Sequence, residues 1–244
     1  MRKAWLLIVG FGLAGCVMAL LLLSAGVLQH REPGTAPAFS PSQEAPALLA
    51  DIEGNEAHWH LPMIVPGTDL LAVRLGSYEG PFLEDGSNRN VFNITMLEIR
   101  NTGKYMVRDA GICLTDGNKS FHFRVSFLPP GATVLALDLG GRSGDLASIS
   151  FVSGYQTVIK DKNFGLFGLE IQDVEMGKTL ITNCTEKDIS NLVIYYKPIT
   201  GTGDCFVGGV AYSYQIENIA SGETIVLNLP YYAMGSSKIV AAEK

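Results

Sequence analysis

Two patterns of apolar and polar positions divide the chain. From Ala4 to Leu28 every residue is apolar or small, between Lys3 and Gln29. From Asp69 onward the apolar positions recur every second residue, the period of a strand with one face buried. That spacing predicts strands at roughly 69–75, 91–100, 107–115, 120–127, 132–138 and 147–159, and another at Ile189–Lys197. Thr115-Asp116-Gly117-Asn118 reads as a tight type I′ hairpin turn, since Asp-Gly suits a backbone with φ > 0. Pro129-Pro130-Gly131 and Ser221-Gly222-Glu223 break the chain before the strands that follow them.

The alternating part repeats itself. Ile99-Arg100-Asn101 recurs 82 residues later as Ile181-Thr182-Asn183. At the same offset Val107, Ala110, Ile112 and Leu114 meet Ile189, Leu192, Ile194 and Tyr196. The offset then jumps to 91: Phe121, Phe123 and Val125 meet Tyr212, Tyr214 and Ile216, Gly131 meets Gly222, and Ile149 meets Val240. A constant offset on each side of one jump means two copies of one module, with nine residues inserted in the second copy within the Gly-rich loop Pro198–Gly209. Short alternating strands with regular turn signals predict an all-β chain of two successive β-sandwiches, 47–162 and 163–244, split near Asp161–Asn163.

The apolar run carries three competing signals. Gly10-Phe11-Gly12-Leu13-Ala14-Gly15 spells the dinucleotide-binding fingerprint. A βα helix needs a polar face, however, and Cys16–Leu28 offers only Ser24. Leu13-Ala14-Gly15-Cys16 is similar to a bacterial lipoprotein signal, but the chain stays apolar or small for twelve residues after the cysteine. At about 1.5 Å per residue the run reaches roughly 37 Å, enough for a hydrocarbon core of about 30 Å. A removable signal peptide has a shorter apolar core, usually about 7–15 residues. The expectation is a single transmembrane anchor, Ala4–Leu28. Arg2 and Lys3 before it place the N-terminus in the cytoplasm and residues 29–244 outside, in a single-pass cell-membrane protein. Gly15 and Ala19 form a small-xxx-small pair at which two such helices can approach. Residues 29–46, with Pro33, Pro37, Pro41 and Pro46, read as an extended stalk.

Composition narrows the partners. The first 28 residues hold two of the 18 basic residues and none of the 24 acidic ones. The outer part is therefore distinctly acidic, which argues against nucleic acid and against an electrostatic grip on anionic lipid. Cys184 and Cys205 share one copy and have the makings of a disulfide in an oxidising compartment, although they flank opposite ends of the strand Ile189–Lys197. Cys113 sits mid-strand and reads as a buried thiol. Asn93-Ile94-Thr95, Asn118-Lys119-Ser120 and Asn183-Cys184-Thr185 are sequons only in a eukaryotic secretory setting, whereas the lipoprotein-like start leans bacterial.

Asn101-Thr102-Gly103 followed by Leu128-Pro129-Pro130-Gly131-Ala132-Thr133 resembles extracellular immunoglobulin-like domains of the CARDB type. Asn183-Cys184-Thr185, Ile189-Ser190-Asn191-Leu192-Val193-Ile194-Tyr195 and Ile219-Ala220-Ser221-Gly222-Glu223-Thr224 are similar to bacterial FxLYD-type modules. The second copy departs from the pattern, with Ala220-Ser221-Gly222 where proline-glycine is usual and with its inserted loop. The resemblance covers about 90–138 and 174–229. It implies tandem surface-exposed adhesive or scaffolding modules and carries over no catalytic residue.

Each candidate site has a plainer reading beside it. Tyr195 alternates with the inward-facing positions and Tyr231-Tyr232 follows Pro230, so these three are the aromatics best placed to stack on a glycan. Tyr212 and Tyr214 match core positions of the first copy. His58-Trp59-His60 supplies two imidazoles, too few for a metal site without Glu53 or Glu56. Asp85–Asn90 is oxygen-rich but lacks the acidic spacing of a calcium loop. His122 and the serines form no recognisable nucleophile–base pattern. The expectation is a membrane-tethered binding or scaffolding protein that needs no cofactor or metal and performs no catalysis, with another surface protein or a glycan as partner. The alternatives are a carbohydrate-binding module and an undetected cell-envelope hydrolase.

Overall fold

The period-two stretches form strands throughout. The computed structural model describes residues 60–244 except 88, 162–163, 176, 201–204 and 233–234. The expected anchor Ala4–Leu28, the proline-rich segment and His58-Trp59 lie outside the described residues. Among the described residues every regular element is a strand, and no helix is long and apolar enough to cross a membrane.

The strands in chain order are β1 (Met63–Ile64), β2 (Leu70–Pro81), β3 (Asn90–Asn101), β4 (Met106–Thr115), β5 (Ser120–Leu128), β6 (Thr133–Leu137) and β7 (Ser150–Ile159). The second copy supplies β8 (Leu169–Glu175), β9 (Lys178–Asn183), β10 (Ile189–Pro198), β11 (Phe206–Val207), β12 (Tyr212–Ile219), β13 (Thr224–Asn228) and β14 (Ser237–Glu243). One topology appears twice. The first copy pairs β2-β3-β6 in one sheet and β5-β4-β7 in another, and the second pairs β8-β9-β13 and β12-β10-β14. The arrangement is compatible with a β-sandwich.

Burial follows the repeat. Val107, Ala110, Ile112 and Leu114 on β4 are buried, and so are Ile189, Leu192, Ile194 and Tyr196 on β10. Phe121 and Phe123 are buried in a cluster that takes side chains from both sheets of the first copy. Tyr212 and Tyr214 are only partly buried against the cluster of the second copy. A third, smaller cluster of Phe82, Ile94, Met96 and Leu137 explains why Ile94–Leu97 is buried on both faces.

The corners of the two copies are built alike. Asn101 is fully buried, and its Nδ2 donates to the carbonyls of Tyr105 and Leu128 while Oδ1 accepts from the Gly103 N–H. Asn183 is equally buried, donating to Lys187, Ile219 and Ala220 and accepting from Thr185. Its amide is thus committed inside the fold, which makes the Asn183 sequon inaccessible. Gly131 and Gly222 occupy the φ > 0 position of the matching turns, at 75° and 72°. Both copies also carry an irregularity in pairing at one equivalent point, Cys113/Leu114 and Tyr195/Tyr196.

Two expectations need correcting. The Asp116–Lys119 turn is not type I′: Gly117 alone has positive φ, and Asp116 Oδ1 caps the loop by accepting from Asn118 and Lys119. The match of Ile149 to Val240 is out by three residues, because Tyr155 opposite Gly111 is the counterpart of Glu243 opposite Val193.

The insertion is more than a loop. Its β11 leaves its own copy and pairs in parallel with β6, making β1-β2-β3-β6-β11 a five-stranded sheet. Ile199 bridges Phe206, so the insertion doubles back as a strap with Gly201–Asp204 outside the described residues. Phe206 is buried in the core of the first copy.

Candidate functional site

The chemistry-bearing side chains gather at the seam between the copies. Lys197, next to last on strand β10, is fully buried, and the strap then crosses to the first copy. The Lys197 Nζ donates to the carbonyls of Ser126 and Gly209. From the other side the β2–β3 hairpin presents Glu84. One Glu84 oxygen accepts from Leu137 N–H at 2.9 Å and Gly209 N–H at 2.8 Å, and the other accepts from Val210 N–H at 3.1 Å. Burial raises the Glu84 carboxyl above its ordinary range, partly offset by those N–H donors and by the Lys197 charge. Burial lowers the Lys197 ammonium, opposed only by Glu84.

Gly209 passes where no side chain fits. A Cβ there would lie 1.6 Å from the Arg124 carbonyl oxygen. Its own carbonyl accepts from Ser126 N–H at 2.9 Å, Ala211 N–H donates to Ser126 Oγ, and the Tyr212 hydroxyl donates to the Leu83 carbonyl. Polar groups of both copies thereby satisfy the backbone of the strap, as buried N–H and C=O groups require.

Tyr195 lies on the far side of this seam. It points away from its own core but is covered by the first copy: its ring stacks on Phe127 with centroids 3.8 Å apart, beside Phe164. The Tyr195 hydroxyl donates to Glu243, which also faces Arg108 at 3.5 Å. Burial and then the Glu243 hydrogen bond push this phenol up to about 12. A pocket of about 190 Å³ opens here, lined by Arg108, Lys160, Asp161, Phe164, Glu243 and Lys244 among others.

Tyr231 and Tyr232 part company although they are neighbours. Tyr232 is buried in the second core, with its hydroxyl on Asp173 at 2.8 Å, and burial raises its pKa. Tyr231 is 45% exposed, stacks on Tyr212 and has φ of 59°. It holds the third position of the Leu229–Tyr232 turn, closed by Tyr232 N–H on the Leu229 carbonyl, where glycine is the usual residue. It lines a shallow groove of about 270 Å³ with Tyr78, Leu83, Pro198, Ile199 and Ser236 among others. The three tyrosines thus occupy three different environments and share no binding face.

The remaining candidates are scattered. His122 is exposed; its backbone N–H donates to the buried Asp138 carboxylate that also grips Arg142, and its carbonyl accepts from the Leu139 N–H. Asp85–Asn90 is a turn braced by Arg89 on Asp85, with Asn88 outside the described residues. Cys113 is half-buried, and Cys184 and Cys205 are unbridged, because the strap carries Cys205 toward the first copy while Cys184 stays at the Asn183 corner. No cluster of three metal-ligating side chains occurs among the described residues. Sequence reasoning missed Glu84 and Lys197: each is an ordinary charged residue until the strap buries it. No protein-family model matches the chain, and no curated protein is significantly similar to it.

Proposed function

We propose that this chain is a single-pass membrane protein whose outward part, two tandem immunoglobulin-like sandwiches, binds or scaffolds a partner at the cell surface without catalysis. The tether rests on the apolar run Ala4–Leu28 with Arg2 and Lys3 before it, and the reach on the proline-rich segment that follows. The observation that carries the scaffolding role is the strap. It builds β11 of the second copy into the sheet of the first, so both copies present one continuous surface in place of two modules on a flexible joint. Fold-level likeness alone would not assign this role.

A second reading, glycan binding, is favoured by Tyr231. A non-glycine residue held at positive φ costs about 1–3 kcal/mol, and such strain collects at functional positions. The ring it displays beside Tyr78 is the one candidate aromatic left open for stacking. Cross-linking on intact cells, with a glycan array probed by the full chain in detergent, separates the two. Capture of a surface protein supports scaffolding, and glycan binding lost on Tyr231→Ala supports the second reading. Turnover of a cell-wall substrate, abolished by His122→Ala, would refute both. Full protection of the outward part from protease added to intact cells would refute the topology.

A further inference from the structure

We propose that the strap is a latch worked by the proton on Lys197: the strap closes over this side chain as the proton leaves and loosens as it returns. What the latch does to the joined surface rests on the scaffolding reading above, in which the strap holds the two copies together.

The hydrogen-bond count at the Lys197 amine favours the uncharged form. The side chain is fully buried, and among the described residues its Nζ donates to two carbonyls, those of Ser126 and Gly209. An ammonium has three N–H donors and a neutral amine has two. The third N–H of the ammonium finds no acceptor in a site closed to water, which costs free energy. The amine fits the two carbonyls with no donor left over. Glu84 opposes this by favouring the charged form through space. Its carboxylate, however, is held by the N–H groups of Leu137, Gly209 and Val210, so it keeps its place when the lysine charge is gone.

Gly209 is both clamp and lid. It gives its N–H to Glu84, and its carbonyl accepts from Lys197 and from the Ser126 N–H. Opening the strap removes that acceptor from Lys197 and admits water, where a lysine takes up its proton at the ordinary value near ~10.5. Burial lowers the same group to about 7 when the strap is closed. Between these values the closed strap holds one proton fewer than the open strap, so rising pH favours closure. The other titratable and charged groups around the clamp are Glu84 and Asp85 after β2, Tyr78 on β2, Tyr212 on β12, Cys205 in the strap, Lys238 opposite Lys197 on β14, and Arg124 on β5, which is paired with Asp109. Burial raises both phenols, and Lys238 is exposed.

The test is amide exchange of the full chain in mild detergent, read at Val210 and Ala211 in the strap and at Ile112 and Cys113 in β4, as protection relative to an unstructured chain. Strap protection should lie at least about tenfold below that of β4, the mark of local opening. It should rise about tenfold per pH unit between about pH 8 and 9.5. Lys197→Arg, which keeps its charge, should leave the strap weakly protected at every pH. Lys197→Met, with no proton to lose, should remove the slope. In the unsubstituted chain the Lys197 Nζ, followed by nitrogen NMR, should already be an amine at about pH 8.5, where an ordinary lysine is still an ammonium.

Strap amides that exchange no faster than those of β4 overturn the proposal, because the strap then opens only with the whole fold. A missing slope, a slope that survives either substitution, or an ammonium signal from Lys197 at that pH overturns it equally. These readouts need no partner. Loss of the slope with surface-protein capture intact overturns the latch alone, and a slope present without capture overturns only the scaffolding.

Discussion

The connections β4–β5 and β10–β12 join equivalent strands in the two copies, yet they are held by different means. Asp116–Lys119 closes on itself: Asp116 caps the turn, and Thr115 and Lys119 complete it. The loop from Ile199 to Ala211 is held by the other copy, through Glu84, Ser126 and the sheet edge at β6. A short turn finds its hydrogen-bond partners within a few residues. A longer insertion must take them from whatever surface it reaches, and here that surface is the first copy. The second copy therefore depends on the first at this point, while the turn of the first copy reaches only within its own copy, where Lys119 Nζ donates to the Ser143 carbonyl.

The largest expected effect falls on the strap. Gly209→Ala drives a Cβ into the Arg124 carbonyl and should cost about 3 kcal/mol or more, read as a lower denaturation midpoint. A substitution for Gly117, in open space but at φ of 84°, should cost only about 1 kcal/mol. Equal losses at both glycines would break the comparison.

Next come the matching corners. Asn101→Ala and Asn183→Ala should each cost about 2–3 kcal/mol, since each strands several buried backbone groups. Because the strap joins the copies, either variant should shift a single unfolding transition. Two separate transitions would show that the strap does not couple them.

The Glu84–Lys197 pair predicts a pH dependence. The folded pKa of Lys197 is lowered, so between that value and the ordinary lysine value near ~10.5 the unfolded chain binds more protons, and stability rises with pH across the window. Glu84 acts oppositely at lower pH: its raised folded pKa means that stability is lost as pH climbs above the ordinary carboxyl range. Lys197→Met should flatten the alkaline slope and, by leaving Glu84 buried without its counter-charge, cost about 3 kcal/mol. Urea titrations at several pH values check both signs, and an unchanged slope in Lys197→Met would remove the pair from the account.

The smallest effect sharpens the reading of Tyr231. Tyr231→Gly relieves a left-handed tyrosine in a turn that Gly131 and Gly222 make without strain, and should stabilise by about 1 kcal/mol. Gly222→Tyr should cost a similar amount. Destabilisation by Tyr231→Gly would mean that the stack on Tyr212 outweighs the backbone.

Much of the fold was legible along the chain. Period-two alternation marked β2 to β7 and β10 to within a few residues at most ends, because a strand with one buried face writes its orientation into every second position. The repeat marked Asn101 and Asn183 as equivalent, and Gly131 and Gly222 as equivalent turns, because those positions answer to local backbone geometry. The later correspondence of β7 with β14 was not legible, since a register shift leaves no trace in apolar spacing.

The site was hardly legible at all. That Tyr195 points away from its own core followed from alternation, but that Phe127 covers it depends on where another strand ends. Tyr231 and Tyr232 are adjacent in sequence, and only the turn at Pro230 decided which ring is exposed and which is buried. Glu84 and Lys197 stand more than a hundred residues apart as ordinary surface charges, and their perturbation comes from burial, which no local pattern encodes. Alternation, turn chemistry and the internal repeat are properties of neighbouring residues, so the sequence by itself determined them. The parallel pairing of β11 with β6, the buried pair and the covered tyrosine required distant segments to meet, and only the tertiary structure decided those.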